Sequence, residues 1–132
     1  MRRYTGLDIA TLLAENGFGE LGENLFATKA TPNKPDAIIN VSVYGNFAEA
    51  SANMTYRSPL FQVMVRDSLG KVVRCSETIY AIDDFLHGLQ RQIVGDTRYA
   101  YILNNGEPMD INDDMNKRPL WVANYKCLLG GT

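Results

Sequence analysis

Between Ser58 and Gly88 the hydrophobic period changes once, from two to about 3.6, and this change limits the fold more than any other feature of the chain. Pro59-Leu-Phe-Gln-Val-Met-Val-Arg66 sends Phe61, Val63 and Val65 to one side and Gln62, Met64 and Arg66 to the other, so that both faces of the strand can be covered. Pro59 lacks an N–H at the first strand position, where the loss is tolerated. From Leu69 the apolar positions Val72, Cys75, Ile79, Ile82, Leu86 and Leu89 recur at three- and four-residue steps, the stripe of a long amphipathic helix that Gly88 ends. Glu77, Asp83 and Asp84 fall off that stripe and are expected in solvent. A strand whose apolar face backs onto such a helix requires an α+β arrangement.

The flanking segments extend this frame. Thr5 precedes an apolar run and Asp8 follows three residues later, a capping-box spacing with the shorter acid. A first helix of about ten residues is expected there, with Ile9, Leu12 and Leu13 as its stripe and Asn16-Gly17 as its stop. Asn24 to Lys29 can lie extended as a first edge strand, Thr31 to Asp36 is a turn by composition, and Ala37 to Tyr44 alternates as a strand. Gly45 to Ser58 is a long segment of small and polar residues in which Phe47, Met54 and Tyr56 stand isolated, the composition either of a mobile connection or of an arm that orders against a partner. After the turn at Val94-Gly95-Asp96, a strand is expected over Thr97 to Leu103, then a polar loop from Asn104 to Lys117. The last strand places Trp121, Ala123, Tyr125, Cys127 and Leu129 on one face, and Gly130 to Thr132 should fray. The expectation is one α+β domain over residues 1–132, with a mainly antiparallel sheet of four to five strands and two helices packed on one face.

Charge and motif chemistry exclude more than they assign. Thirteen Lys and Arg against fifteen Asp and Glu give a formal charge of −2, a poor footing for neutralising many phosphates, so sequence-specific nucleic acid is not the expected partner. No apolar run approaches the roughly 18 residues of a membrane span, and Arg2-Arg3 is not followed by the apolar core of a secretory signal. Cys75 and Cys127 have no neighbouring Cys or His at metal-ligand spacing and read as reduced core thiols. Asp110-Ile-Asn-Asp113-Asp114 opens like a calcium loop, but Met115 stands where the turn needs glycine and Trp121 where a bidentate acid belongs. A solvated acidic loop presented to a basic partner is the better account. The single histidine, His87, lies at a helix end without a local catalytic partner, and Asp83 and Asp84 diverge as adjacent helix residues. No catalytic residue, cofactor or metal is therefore expected. Arg57, Arg66, Arg98 and Arg118 each fall at or near a strand end, where a guanidinium can pair with acids on a neighbouring subunit.

Taken in order, Asn16-Gly-Phe-Gly-Glu-Leu-Gly-Glu-Asn-Leu-Phe26, then Pro59 to Arg66, the helix through Ile79-Tyr80 to Leu86-His-Gly-Leu89, and Arg118-Pro119 before the last strand form a series. That series resembles the tail terminator family of long-tailed bacteriophages, also described as minor capsid or tail completion proteins, from about Gly6 to Leu128. The resemblance implies a non-enzymatic virion protein, assembled in the host cytoplasm. It would form a homohexameric ring at the head-proximal end of the tail tube, stop tube growth and offer a docking surface to the head connector. Its implied partners are other copies of itself, the tail tube protein and the head-side connector or stopper, with no membrane and with nucleic acid at most passing through the ring lumen. Within that reading the expected contact residues are Phe47, Met54 and Tyr56 as arm anchors, and Arg57, Arg66 and Arg118 at strand ends, Arg57 and Arg66 pairing between subunits. Asp110, Asp113 and Asp114 are the expected charged docking contacts. The alternatives are a head-side stopper or adaptor and, further off, a small metal-binding enzyme domain using Asp110 to Asp114.

Overall fold

In the computed structural model, which describes residues 4–46 and 57–130, the change of period at Ser58–Gly88 becomes strand β3 (Pro59–Arg66) followed by helix α2 (Val72–Leu86). Helix α1 (Thr5–Glu15), β1 (Leu25–Phe26) and β2 (Ile38–Asn46) precede them, and β4 (Gln90–Val94), β5 (Thr97–Asn104), β6 (Met109–Asp113) and β7 (Pro119–Gly130) follow. All seven strands join one sheet in the order β1-β2-β3-β7-β5-β4, with β6 added to β7. Among the described residues the β1–β2 pair is parallel and the other five pairs are antiparallel, so the α+β sheet is mixed.

The strand count does not match: among the described residues seven strands stand where four to five were expected. The two unforeseen ones carry almost no inward apolar side chains, since β4 buries only Val94 and β6 buries nothing. The segment read as a polar loop, Asn104 to Lys117, therefore holds β6. Segments β5 and β6 both run antiparallel to β7, β5 beside Tyr125–Gly130 and β6 beside Pro119–Val122. Together they amount to one long strand interrupted between Asn104 and Met109.

The core lies between one sheet face and both helices. Ile9, Leu12 and Leu13 of α1 and Cys75, Ile79, Ile82 and Leu86 of α2 share a cluster with Val41, Phe61, Val63, Val65, Ala123, Tyr125, Cys127 and Leu129. Burying a Leu, Ile or Phe side chain is worth about 1.5–3 kcal/mol, which is why the short α1 persists. The opposite face is covered only locally, around Ile38, Met64 and Val122. Val72, assigned to the α2 stripe, is exposed at the first helical position, whereas Leu89 packs against the core from beyond the helix end.

Polar details depart from the sequence reading in two places. The capping box does not form: Thr5 is already helical, Tyr4 is the cap, and no side chain bonds to that end. Asp8 instead turns inward, fully buried, and accepts a 2.7 Å hydrogen bond from the Tyr99 hydroxyl. Asp83 is likewise not simply solvated, because the Tyr125 hydroxyl donates to it at 2.8 Å. Both glycine stops hold, with φ of 83° at Gly17 and 88° at Gly88. After Gly88 the chain turns straight into the sheet, its N–H donating to the Ile102 carbonyl at 2.8 Å.

Candidate interaction surface

Where β3 ends and β7 begins, Arg66 and Arg118 lie close together, only 4% and 5% exposed. Their donors go to the turn that the two prolines, Pro32 and Pro35, hold out of helix. Arg66 Nε donates to the Asp36 carbonyl at 2.9 Å and Nη2 to the Pro35 and Asn33 carbonyls at 2.8 and 3.2 Å. Arg118 Nη1 donates to the Asn33 carbonyl at 2.7 Å and to Asp36 Oδ1 at 3.1 Å, and Nη2 to Asn33 Oδ1 at 3.0 Å. Its Nε reaches Asp114 Oδ2 at 2.7 Å. A planar fork with five donors can hold several acceptors at once, which an ammonium cannot do.

Electrostatics balance within this cluster. Burial, and then the neighbouring Arg118 charge, lowers the pKa of Arg66, while Asp114 and Asp36 oppose that shift. The hydrogen bond from Arg118 holds the Asp36 carboxyl below its ordinary 3.8. Burial alone would raise Asp114, but the Arg118 backbone N–H and guanidinium outweigh it and keep that carboxyl low as well. Two cations thus face two anions inside one chain.

This arrangement sorts the residues expected to make contacts. Arg66 and Arg118 use their donors to fasten the Asn33–Asp36 turn, and Asp114 accepts from Asn116 and Arg118 to close the β6–β7 hairpin. The inter-subunit role expected of Arg66 thus meets a buried side chain bonded within its own chain. Asp110 and Asp113 do face solvent, Asp110 also accepting from the Asn112 N–H at 2.8 Å. The hairpin they flank carries exposed Met109, Ile111 and, at its tip, the fully exposed Met115. Arg57 is exposed beside the end of β7, its carbonyl accepting from the Leu129 N–H at 2.7 Å. Phe47, Met54 and Tyr56 lie outside the described residues.

Three features had no counterpart in the sequence reading. Arg74 grips Asp67 with two donors at the rim of a cleft of about 170 Å³ lined by Phe18, Asn24, Ile39, Val65 and Thr78. Burial would raise the Asp67 pKa, but Arg74 and the Ser68 backbone N–H together outweigh it and hold it below 3.8. Trp121 packs edge-on against Tyr80 with ring centroids 5.6 Å apart, and its indole N–H is buried without an acceptor among the described residues. The Asn33–Asp36 turn is the common acceptor of both buried arginines, which only the double proline hinted at. Cys75 and Cys127 are free thiols in the core, each pushed up to about 12 by burial. Among the described residues no group of three or more His, Cys, Asp or Glu could hold a metal ion.

The fold has relatives among solved structures. One chain, from the virion of a native gene transfer agent particle, matches with a TM-score of 0.55 at 14% identity, over 92% of this chain and 86% of that one. A second matches with a TM-score of 0.56 at 16% identity, over 96% and 91%. At such identity these likenesses speak for the fold alone. No curated protein matches in sequence. The family model for the bacteriophage tail terminator protein matches residues 12–129, a span that begins inside α1 and ends inside β7. By that match over most of its length, the chain belongs to the bacteriophage tail terminator family.

Proposed function

We propose that this phage structural tail protein forms a ring at the head-proximal end of the tail tube, stops tube polymerisation there and presents a docking surface to the head connector. The observation that carries this reading is the family match over residues 12–129, from the end of α1 into β7. The surface supports it: exposed Met109, Ile111 and Met115 beside the carboxylates of Asp110 and Asp113 suit contact with another protein. Arg57 and the Phe47, Met54 and Tyr56 side chains join that contact set in this reading, while Arg66, Arg118 and Asp114 act by holding the hairpin and turn in place.

A ring needs a heterologous interface whose rotation closes. If that interface were strong alone, rings would form without tubes, so we take the free chain to be monomeric at micromolar concentration and the tube end to promote assembly. Deleting the gene from the phage tests the reading directly. Overlong tubes that fail to join heads are the expected result. Tails of normal length with leaking heads would move the protein to the head side as a stopper, and normal joined particles would end the proposal.

A further inference from the structure

The two outermost strands of the sheet, β1 and β4, lie at opposite ends of the strand order, and the exposed charges near them differ in their balance. Beside β1 the exposed side chains include Glu20, Leu21 and Glu23, with Leu21 42% exposed, and Lys29 three residues past the strand. On and beside β4 they include Arg91, Ile93 and Arg98, with Ile93 64% exposed and set directly across from Arg98, and Asp96 exposed in the turn between the two strands. Each edge thus offers one aliphatic side chain with two like charges near it, mainly acidic at one end of the sheet, where Lys29 is the one opposing exposed charge, and mainly basic at the other, where Asp96 is. The acidic pair is unrelieved within the chain: the Glu20 carboxyl, bonded to Glu23, makes Glu23 hold its proton more tightly. Arg91 and Arg98 have no ion-pair partner among the described residues.

We propose that the β1 edge of one copy docks on the β4 edge of the next, so that Glu20 and Glu23 meet Arg91 and Arg98 around a Leu21–Ile93 contact. The occupant of each edge is a second copy of this chain, chosen by charge complementarity between two surfaces on opposite sides of one sheet. Such an interface is heterologous and propagates in one direction, as a closed ring requires. It is not an added strand. Arg91 takes a left-handed conformation at φ 57° and β1 has only two residues, so neither edge can template a continuous ladder. Side-chain contacts between exposed charges are screened by salt, which makes the association weak and ionic-strength dependent. The inference rests on the ring reading for its biological setting, but its test does not use tails.

The purified chain is concentrated to the millimolar range at low salt and its mass followed by light scattering, with circular dichroism as a check on folding. Wild type should associate, and added salt should reverse it. Glu20→Lys with Glu23→Lys, or Arg91→Glu with Arg98→Glu, should each weaken association by roughly tenfold or more, since both charge pairs become repulsive. An equimolar mixture of the two double variants should associate as wild type does, because each then presents the edge the other lacks. Wild type that stays monomeric, double variants that associate normally, or a mixture that does not recover would each overturn the proposal. A chain that passes this test yet leaves tail length unchanged when deleted would refute the terminator reading while the interface stands. Overlong tubes on deletion with normally associating double variants would do the reverse.

Discussion

Arg118 is the residue on which most of the local polar structure depends, because its guanidinium serves Asn33, Asp36 and Asp114 together. Replacing it with Ala takes the guanidinium donors from the Asn33 carbonyl and the largely buried Asp114 carboxylate, leaving them Arg66 and backbone N–H groups, and should lower unfolding free energy by about 2 kcal/mol in urea titration. Arg118→Lys should recover only part of this, since an ammonium cannot reproduce the fork. The pH response follows in sign: Asp36 and Asp114 have folded pKa values below the ordinary 3.8, so their contribution is full above that value and is lost as pH falls through the lower folded values. Acid unfolding below about pH 4 should therefore be shallower in Arg118→Ala than in wild type. The buried tyrosines permit a second comparison. Tyr99→Phe removes a donor from the fully buried Asp8 and should cost about 2 kcal/mol, whereas Tyr125→Phe leaves the partly exposed Asp83 to water and should cost under about 1 kcal/mol. Equal losses in urea would show that the Tyr99 donor matters no more to Asp8 than the Tyr125 donor does to Asp83. None of these pairings was legible in the sequence, because Asp8 and Tyr99 are far apart in the chain and only the packing of α1 on the sheet brings them together.

At the scale of elements, legibility followed the burial of side chains. Strand β3, helix α2 and strand β7 bury alternate or every third-to-fourth apolar residues, and their periods can be read directly. Strand β6 buries none and β4 one, so what holds them is pairing with β7 and β5, a property of the partner strand that composition does not record. The helix stops were readable because glycine has a conformational reason to be there. Gly88 sits at φ 88° and a Cβ built on it meets nothing within 4 Å, so any cost of Gly88→Ala comes from the backbone alone. That cost should be about 1–2 kcal/mol. Gly45→Ala is the control, since its φ is not positive and its Cβ would lie 3.9 Å from Leu60. It should be neutral to slightly stabilising, and thermal melts of the two variants should differ in sign or by several degrees. A Gly88→Ala variant as stable as wild type would mean that the turn into β4 relaxes to another conformation.

For the whole molecule, the contact residues were the least legible part, for a physical reason. An interface between copies is encoded by which side chains remain outside after folding, so Arg66 and Arg118 look in sequence like any other strand-end arginine and become structural only when the Asn33–Asp36 turn closes over them. The core, by contrast, makes a claim about cooperativity that can be measured. Cys75 on α2 and Cys127 on β7 belong to one hydrophobic cluster that also contains α1, so the chain should unfold as a single unit. Burial pushes both thiols up to about 12, which leaves the folded protein with almost no thiolate at pH 8. Labelling with a chromogenic disulfide reagent at that pH should therefore proceed only through unfolding. Both thiols should react with one rate constant, and that rate should rise with urea in step with the unfolding arm of the folding kinetics. The alkaline limb has a fixed sign: a folded pKa raised above the ordinary 9.0 stabilises below that value and is lost as pH climbs towards 12, so labelling should accelerate across this range beyond the gain in reagent reactivity. Two separate labelling phases, one fast and one slow, would divide the chain into independently opening parts and would remove the single core as the basis for reading residues 4–130 as one unit.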